Sequence, residues 1–135
     1  MKQLIDAILA ALFVFGLSAC AGSGAPTETA NPEQILAEKG FTRGKEINQL
    51  MNFQIRGWQY VDRQNVILED GPSRRYLVTL AAPCHPLQNA YSIAFTSKVN
   101  TVTRNDRLLV RQAPGHPMTC YIDRLYELEK LAKEN

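Results

Sequence analysis

The feature that most restricts the fold of this chain is a series of short alternating segments that begins near residue 54. Apolar and polar residues alternate there with a period of two, which is typical of half-buried β-strands, and turn-forming residues separate the segments. The predicted strands cover residues 54–62, 65–69, 75–82, 90–97, 99–103, 107–111 and 119–124. They predict a mainly β fold, an antiparallel meander that forms a small barrel or sandwich.

Three turn-rich segments predict how these strands are connected. Residues 62–65 and 70–73 separate the first three strands, and Pro72 cannot donate to a strand ladder, so both segments are expected to be hairpin loops. Residues 104–106 separate the fifth strand from the sixth and predict a third hairpin.

A short helical arm is predicted ahead of the strands, over residues 32–52. Asn31 and Pro32 form a typical helix start, because an asparagine cap is followed by proline at the first helical position, where the missing N–H costs nothing. Gly40 ends the first helix of this arm, and a second helical segment follows within it.

Two further segments are predicted to be helical. Residues 45–52 hold three apolar side chains at the spacing of one helix face, namely Ile47, Leu50 and Met51. After Asp123 the sequence RLYELEKLAKEN is rich in helix formers, so the last strand is expected to give way to a helical tail over residues 129–135.

The N-terminus has the form of a secretory signal. Lys2 precedes an apolar run over residues 4–17, and small residues lead to Cys20. The run covers about 21 Å as a helix, which is less than the ~30 Å hydrocarbon core of a bilayer, so a membrane-spanning helix is the poorer interpretation. The ending LSAC resembles the lipobox of bacterial lipoproteins, which implies cleavage before Cys20 and acylation of that cysteine.

The sequence downstream of the signal predicts one tethered domain. Residues 1–19 are the predicted signal peptide, residues 20–31 the lipidated cysteine and a flexible tether, and residues 53–128 the β domain that follows the helical arm. Ala21 stands where an aspartate would, by resemblance to enterobacterial sorting, retain a lipoprotein at the inner membrane. We therefore expect an outer-membrane anchor through membrane lipid, with the domain facing the periplasm.

Two cysteines remain once Cys20 carries lipid. Cys84 and Cys120 form an even pair in an oxidising compartment, so a disulfide between them is predicted. Closing a loop of this length stabilises a fold by roughly 4 kcal/mol in the chain-entropy model.

An alternative for the same region is a soft-metal site. His85 and His116 lie close in sequence to Cys84 and Cys120, so a bridge would draw four potential ligands and Met118 towards one corner. Oxidised cysteines are not thiolate ligands, and the short Cys-x-x-Cys knuckle of many zinc sites is absent from the sequence, so the disulfide is favoured.

Catalytic and nucleic-acid signatures are weak in this sequence. A net charge of +2 does not predict nucleic-acid binding, no cofactor motif is present, and the serines at 73, 92 and 97 lack a glycine-flanked elbow. Five arginines, at positions 74, 75, 104, 107 and 111, are candidates for an anion-binding rim, although scattered surface positions are the favoured interpretation.

Four segments carry a resemblance to a known family. They are IRGWQYVD at Ile55–Asp62, YLVTL at residues 76–80 with the following Pro83 and Cys84, IAFTS at residues 93–97 and CYID at residues 120–123. The stretch 55–128 resembles a family of envelope lipoproteins known as domain of unknown function sixty-four ninety-one. The resemblance implies a signal peptide and an uncharacterised periplasmic domain, with no activity or catalytic residues.

Two classes of function remain open at this point. The first is a non-catalytic envelope lipoprotein that binds a partner protein, glycan or lipid through the barrel rim. The second is a small enzyme or metal-binding protein that uses the corner formed by Cys84, His85, His116 and Cys120.

Overall fold

The computed structural model describes residues 31–51, 55–97 and 100–132. Within these ranges the chain forms one α-helix, α1 (Pro32–Glu38), and one 3₁₀ helix (His85–Asn89). The strands are β1 (Phe41–Ile47), β2 (Gln49–Met51), β3 (Ile55–Asp62), β4 (Asn65–Asp70), β5 (Arg74–Leu80), β6 (Ser92–Phe95), β7 (Thr101–Thr103), β8 (Arg107–Arg111) and β9 (Met118–Lys130). The predicted mainly β fold with a helix on the N-terminal side of the strands is confirmed.

The strands form one curled antiparallel sheet and a small two-stranded ribbon. The sheet runs β3–β4–β5–β9–β8–β6, with β1 also paired to β9, and β2 pairs only with β7. The long strand β9 binds β8 through residues 118–121, β5 through residues 122–128 and β1 through residues 125–130. The sheet curls into a half-barrel, and β3 and β6 are its two end strands.

Apolar side chains fill both faces of the sheet. The inner cluster lies on the concave face and is built from Leu50, Val66, Leu68, Val78, Leu80, Cys84, Leu87, Val102, Leu108, Val110, Ile122 and Leu125. The outer cluster lies under α1 and is built from Leu36, Val61, Ile67, Leu77 and Tyr126. Strand β4 contributes to both clusters, so it is buried on two faces, whereas its alternating pattern predicted burial on one.

The predicted start and end of α1 are confirmed. Asn31 Oδ1 accepts a hydrogen bond from the backbone N–H of Glu33 at 3.1 Å, and Pro32 occupies the first turn. Gly40 follows the helix with φ of +83°, a left-handed conformation that favours glycine.

The first two predicted hairpins are also confirmed. Strand β3 pairs with β4, and β4 pairs with β5, both in antiparallel register. Gly71 has φ of +64° in the turn between β4 and β5, a conformation that glycine adopts without steric cost.

The helix predicted over residues 45–52 is wrong. Residues 45–47 belong to β1, Gln49–Met51 forms β2, and residue 52 lies outside the described ranges. Ile47 and Leu50 still pack against the inner cluster, as their apolar character predicts. Pairing with the distant strands β9 and β7 satisfies the backbone of this segment and overrides its local helical spacing.

The helical tail is wrong where the structure describes it. Strand β9 continues to Lys130, and residues 133–135 lie outside the described ranges. Leu125 faces the inner cluster and Tyr126 the outer cluster, so adjacent side chains are buried on opposite faces, as a strand requires. With β5 and β1 bonded along the same stretch, β9 has both edges paired.

The third predicted hairpin has the right turn and the wrong partner. Asp106 stabilises the turn by accepting hydrogen bonds from the N–H and hydroxyl of Thr103 at 2.8 and 2.9 Å. Strand β7, however, pairs with β2, because β6 and β9 occupy the two edges of β8.

The predicted signal peptide and most of the tether, residues 1–30, lie outside the described ranges. None of the described helices combines the length and the apolar character needed to cross a membrane.

Candidate functional site

An open cleft separates the two end strands of the half-barrel. It has a volume of about 390 Å³ and lies between the first half of β3 and the strand β6. The residues that line it are Ile55, Arg56, Gly57, Trp58, Ile93, Ala94 and Phe95. Within the described residues no strand pairs with the outer edge of β3 or of β6, so this cleft is bounded by two free strand edges.

The walls of the cleft are apolar on the side that faces the inner cluster. Ile55 and Trp58 of β3 and Ile93 and Phe95 of β6 are half-buried and pack against that cluster. Arg56 is exposed at the mouth and forms no hydrogen bond or ion pair with the described residues. The cleft therefore combines free backbone edges, one positive charge without a partner among the described residues and these four half-buried apolar side chains, which we call its apolar floor.

A second pocket, lined by more polar side chains, adjoins the other half of β3. It has a volume of about 690 Å³ and is lined by Pro32, Tyr60, Asp62, Arg63, Gln64, Asn65, Pro83, His85 and Gln88. Strand β3 thus forms one wall of both pockets.

The main polar groups of the second pocket are already bonded to one another. Asp62 Oδ1 accepts from the backbone N–H of Gln64 at 2.7 Å, and both carboxylate oxygens accept from Asn65 Nδ2 at 3.0 Å. Asn65 Oδ1 accepts from the Thr79 hydroxyl at 2.8 Å. These bonds fix the β3–β4 turn and leave fewer groups free to bind a ligand.

The predicted disulfide between Cys84 and Cys120 is present. It joins the segment after β5 to the start of β9. A separate hydrogen bond, from Gln112 Nε2 to the carbonyl of Pro86 at 2.8 Å, joins the residue after β8 to the 3₁₀ helix. Both sulfur atoms are therefore oxidised, and neither is a thiolate.

The histidines of the alternative metal site are exposed on separate loops. His85 begins the 3₁₀ helix and lines the second pocket, while His116 lies in the loop before β9. In the part of the chain that the structure describes, no group of three or more histidine, cysteine, aspartate or glutamate side chains is placed to hold a metal.

The five candidate arginines do not form one rim. Arg74 contacts Asp70 at 3.1 Å and Arg75 contacts Glu69 at 3.7 Å, near the start of β5. Arg107 lies on β8 with its guanidinium 5.4 Å from the centre of the Tyr121 ring. On β9, Arg75 pairs with Leu128 and Arg107 pairs with Tyr121. These two partners are seven residues apart, which is about 23 Å along a strand.

The remaining two arginines, Arg104 and Arg111, are exposed in the turn before β8 and at its end. Burial raises the pKa of Tyr76 on β5, and the nearby Arg74 guanidinium offsets part of that rise. None of these residues lines the β3–β6 cleft or the second pocket.

Sequence reasoning found the strands of the cleft but not the cleft. It predicted the aromatic residue Trp58 on β3 and the alternating face of Ile93 and Phe95 on β6. It assigned Arg56 no role, because the cleft that this residue lines exists only where the curl of the sheet brings β3 near β6.

Comparison with models of protein families assigns the whole chain to one family. A model described as a family of unknown function (DUF6491) matches residues 1–135. The chain belongs to the DUF6491 family. No curated protein and no solved structure matches this DUF6491 protein. The family description states neither an activity nor a location, so both are argued from residues of this chain.

Proposed function

We propose that this DUF6491 protein is a non-catalytic lipoprotein of the bacterial envelope that binds a partner in the β3–β6 cleft. In this proposal acylated Cys20 anchors it in the outer membrane and the domain faces the periplasm. The observation that carries the binding function is the cleft itself, where two free strand edges flank an apolar floor.

The packing of the half-barrel supports a binding site at the cleft rather than inside the sheet. Leu68, Val78, Leu108, Val110 and Leu125 are fully buried on the concave face, so the protein's own side chains fill that space. A carrier of a large apolar molecule needs an open interior, which these side chains occupy.

One feature of the sequence and one of the structure support the envelope location. The signal-like N-terminus ends in LSAC at Cys20, and the disulfide between Cys84 and Cys120 is of the kind that persists in oxidising compartments.

The alternative function, a small enzyme or soft-metal protein at the corner of Cys84, His85, His116 and Cys120, has less support. A cysteine of this corner could serve as a metal ligand or a nucleophile only as a thiolate, and the disulfide removes that form. In the pocket next to His85 the Asp62 carboxylate and the Asn65 amide are engaged in the β3–β4 turn.

Site-specific photo-crosslinking in intact cells tests the proposal. A photo-reactive amino acid replaces Ala94, which is exposed in the cleft, and in a matched variant it replaces Glu38, which is exposed on α1. We expect a light-dependent adduct from position 94 and none from position 38. The absence of any adduct from position 94, or equal adducts from both positions, would contradict binding in the cleft.

A further inference from the structure

We infer that the partner occupies the cleft as an extended polypeptide segment that adds a strand to the free edge of β6. This inference rests on the proposed function and gives its ligand a chemical class. Four observations carry it: the direction of the β6 backbone groups, the register of β6 over Ser92–Phe95, the apolar floor, and Arg56, which has no partner among the described residues.

Two residues of β6 direct their backbone N–H and C=O groups towards the cleft. Thr96, just after β6, donates its N–H to the carbonyl of Arg107 on β8 at 3.1 Å. Because successive residues of an antiparallel strand direct their N–H and C=O groups to alternate edges, Ala94 also faces β8. Ile93 and Phe95 therefore present their N–H and C=O groups to the open edge.

Of the two edges, β6 is the better template for another strand. Strand β3 has register shifts at both ends of its pairing with β4, and such bulges hinder the addition of a strand. Strand β6 pairs with β8 without a shift over Ser92–Phe95, and its irregularity lies just before the strand, where the N–H of Tyr91 donates to the carbonyl of Arg111 at 3.0 Å. A segment of about four residues, roughly 13 Å long, would match it.

The side chains around this edge define what the segment should contain. Residues of an added strand alternate between the two faces of the sheet, so every second side chain would contact the apolar floor at Trp58 and Phe95. Arg56 at the mouth is complementary to an acidic residue of the segment.

The same features disfavour other classes of ligand. A glycan needs several free polar side chains, whereas Arg56 and Trp58 alone carry polar side-chain groups among the described residues that line the cleft. An acyl chain needs a deep apolar cavity, and the inner cluster is closed beneath the cleft. Unpaired backbone groups at strand spacing are matched best by another polypeptide backbone.

The first test uses the purified mature protein and a displayed library of random ten-residue peptides. We expect enrichment of peptides rich in β-forming residues with an acidic position. In the free protein the amide hydrogens of Ile93 and Phe95 should exchange quickly, while that of Ala94, bonded to β8, should already be protected. Addition of an enriched peptide should slow exchange at Ile93 and Phe95 about tenfold or more.

Matched variants separate backbone pairing from side-chain contact. Ile93→Ala and Ile93→Pro both remove the isoleucine side chain, but only proline also removes the N–H that faces the cleft. Peptide affinity should fall about tenfold more in Ile93→Pro than in Ile93→Ala. Because Arg56 is exposed, Arg56→Glu leaves the fold intact, and it should weaken acidic peptides and favour their lysine-substituted versions.

The outcomes separate failure of this inference from failure of the proposed function. If no peptide is enriched, or if peptides bind without slowing exchange at Ile93 and Phe95, strand addition is wrong. A crosslinked adduct at Ala94 that resists protease and is cleaved by glycosidases would likewise overturn the polypeptide and keep the cleft as a binding site. The absence of any adduct at Ala94 would overturn the cleft itself.

Discussion

At the scale of single residues, Cys84 and Cys120 form the one covalent cross-link among the described residues. Cys84 is buried in the inner cluster, and its N–H donates to the carbonyl of Arg63 at 2.7 Å, so the bridge also connects the β3–β4 turn to β9. Opening it would remove the covalent link between the segment after β5 and β9, although β5 and β9 are also joined by strand pairing, and would restore the thiols on which the metal alternative depends.

We therefore expect reduction of the disulfide to lower the free energy of unfolding by about 4 kcal/mol, the loop-closure scale for this separation. Urea denaturation with and without reductant measures the loss, and the Cys84→Ala/Cys120→Ala variant is the control for reductant effects. The prediction fails if mass spectrometry of non-reduced protein from the periplasm finds both thiols free. Reduced protein that then bound zinc would revive the metal site.

At the scale of elements, α1 is the part of the fold that covers the outer face. Leu36 is completely buried over β4 and β5, where it joins Ile67 and Leu77 in the outer cluster. Arg43 of β1 connects the helix to the sheet, because its guanidinium pairs with Glu33 of α1 at 2.8 Å and lies 4.7 Å from the centre of the Tyr126 ring on β9. The helix is short, so its stability depends on this contact surface.

Leu36→Ala should accordingly lower the free energy of unfolding by about 3 kcal/mol, since it removes a fully buried side chain and leaves a cavity. Glu38→Ala, an exposed change on the same helix, should cost less than about 0.5 kcal/mol. Denaturant titration of both variants measures the difference. Equal losses would show that α1 does not pack on the sheet in solution, and peptide binding in the cleft should be the same in both because the cleft is on the other face.

The same elements show how far the sequence could predict the fold. Local chemistry was enough for the cap at Asn31 and for the alternating strands β3 and β5, because turns and apolar periodicity specify them. It was not enough for residues 45–51 or for the end of β9, where long-range pairing decides. Leu125 and Tyr126 lie in a segment whose composition favours a helix, yet Leu125 is buried in the inner cluster and Tyr126 in the outer cluster, as only a strand allows.

The cleft lies beyond such reasoning for a related reason. Ile93 and Trp58 were both predicted on strands, but the distance between those strands depends on the curl of six strands and not on any local signal. A free edge is likewise a property of the whole sheet, since it exists only where no other segment pairs.

At the scale of the whole molecule, the proposed anchor limits where the cleft can act. The predicted tether, residues 21–30, has no large apolar side chain with which to form a core. Ten extended residues reach at most about 35 Å. An anchored domain would therefore sample partners only within a few nanometres of the membrane surface. In this proposal the cleft determines the affinity for the partner, and Cys20 determines the position at the membrane, so the two properties are separate.

A pair of signal variants tests this separation. Cys20→Ser removes the acylated thiol, so the protein should lose labelling by a fatty-acid analogue and leave the membrane fraction, while its cleft should bind enriched peptides as the native protein does. Ala21→Asp keeps the thiol and, by resemblance to enterobacterial sorting, should move the protein from the outer to the inner membrane. Density-gradient fractionation at native expression measures both effects. Persistent labelling of Cys20→Ser would refute the lipid anchor, and recovery of the native protein with the inner membrane would refute its placement in the outer membrane.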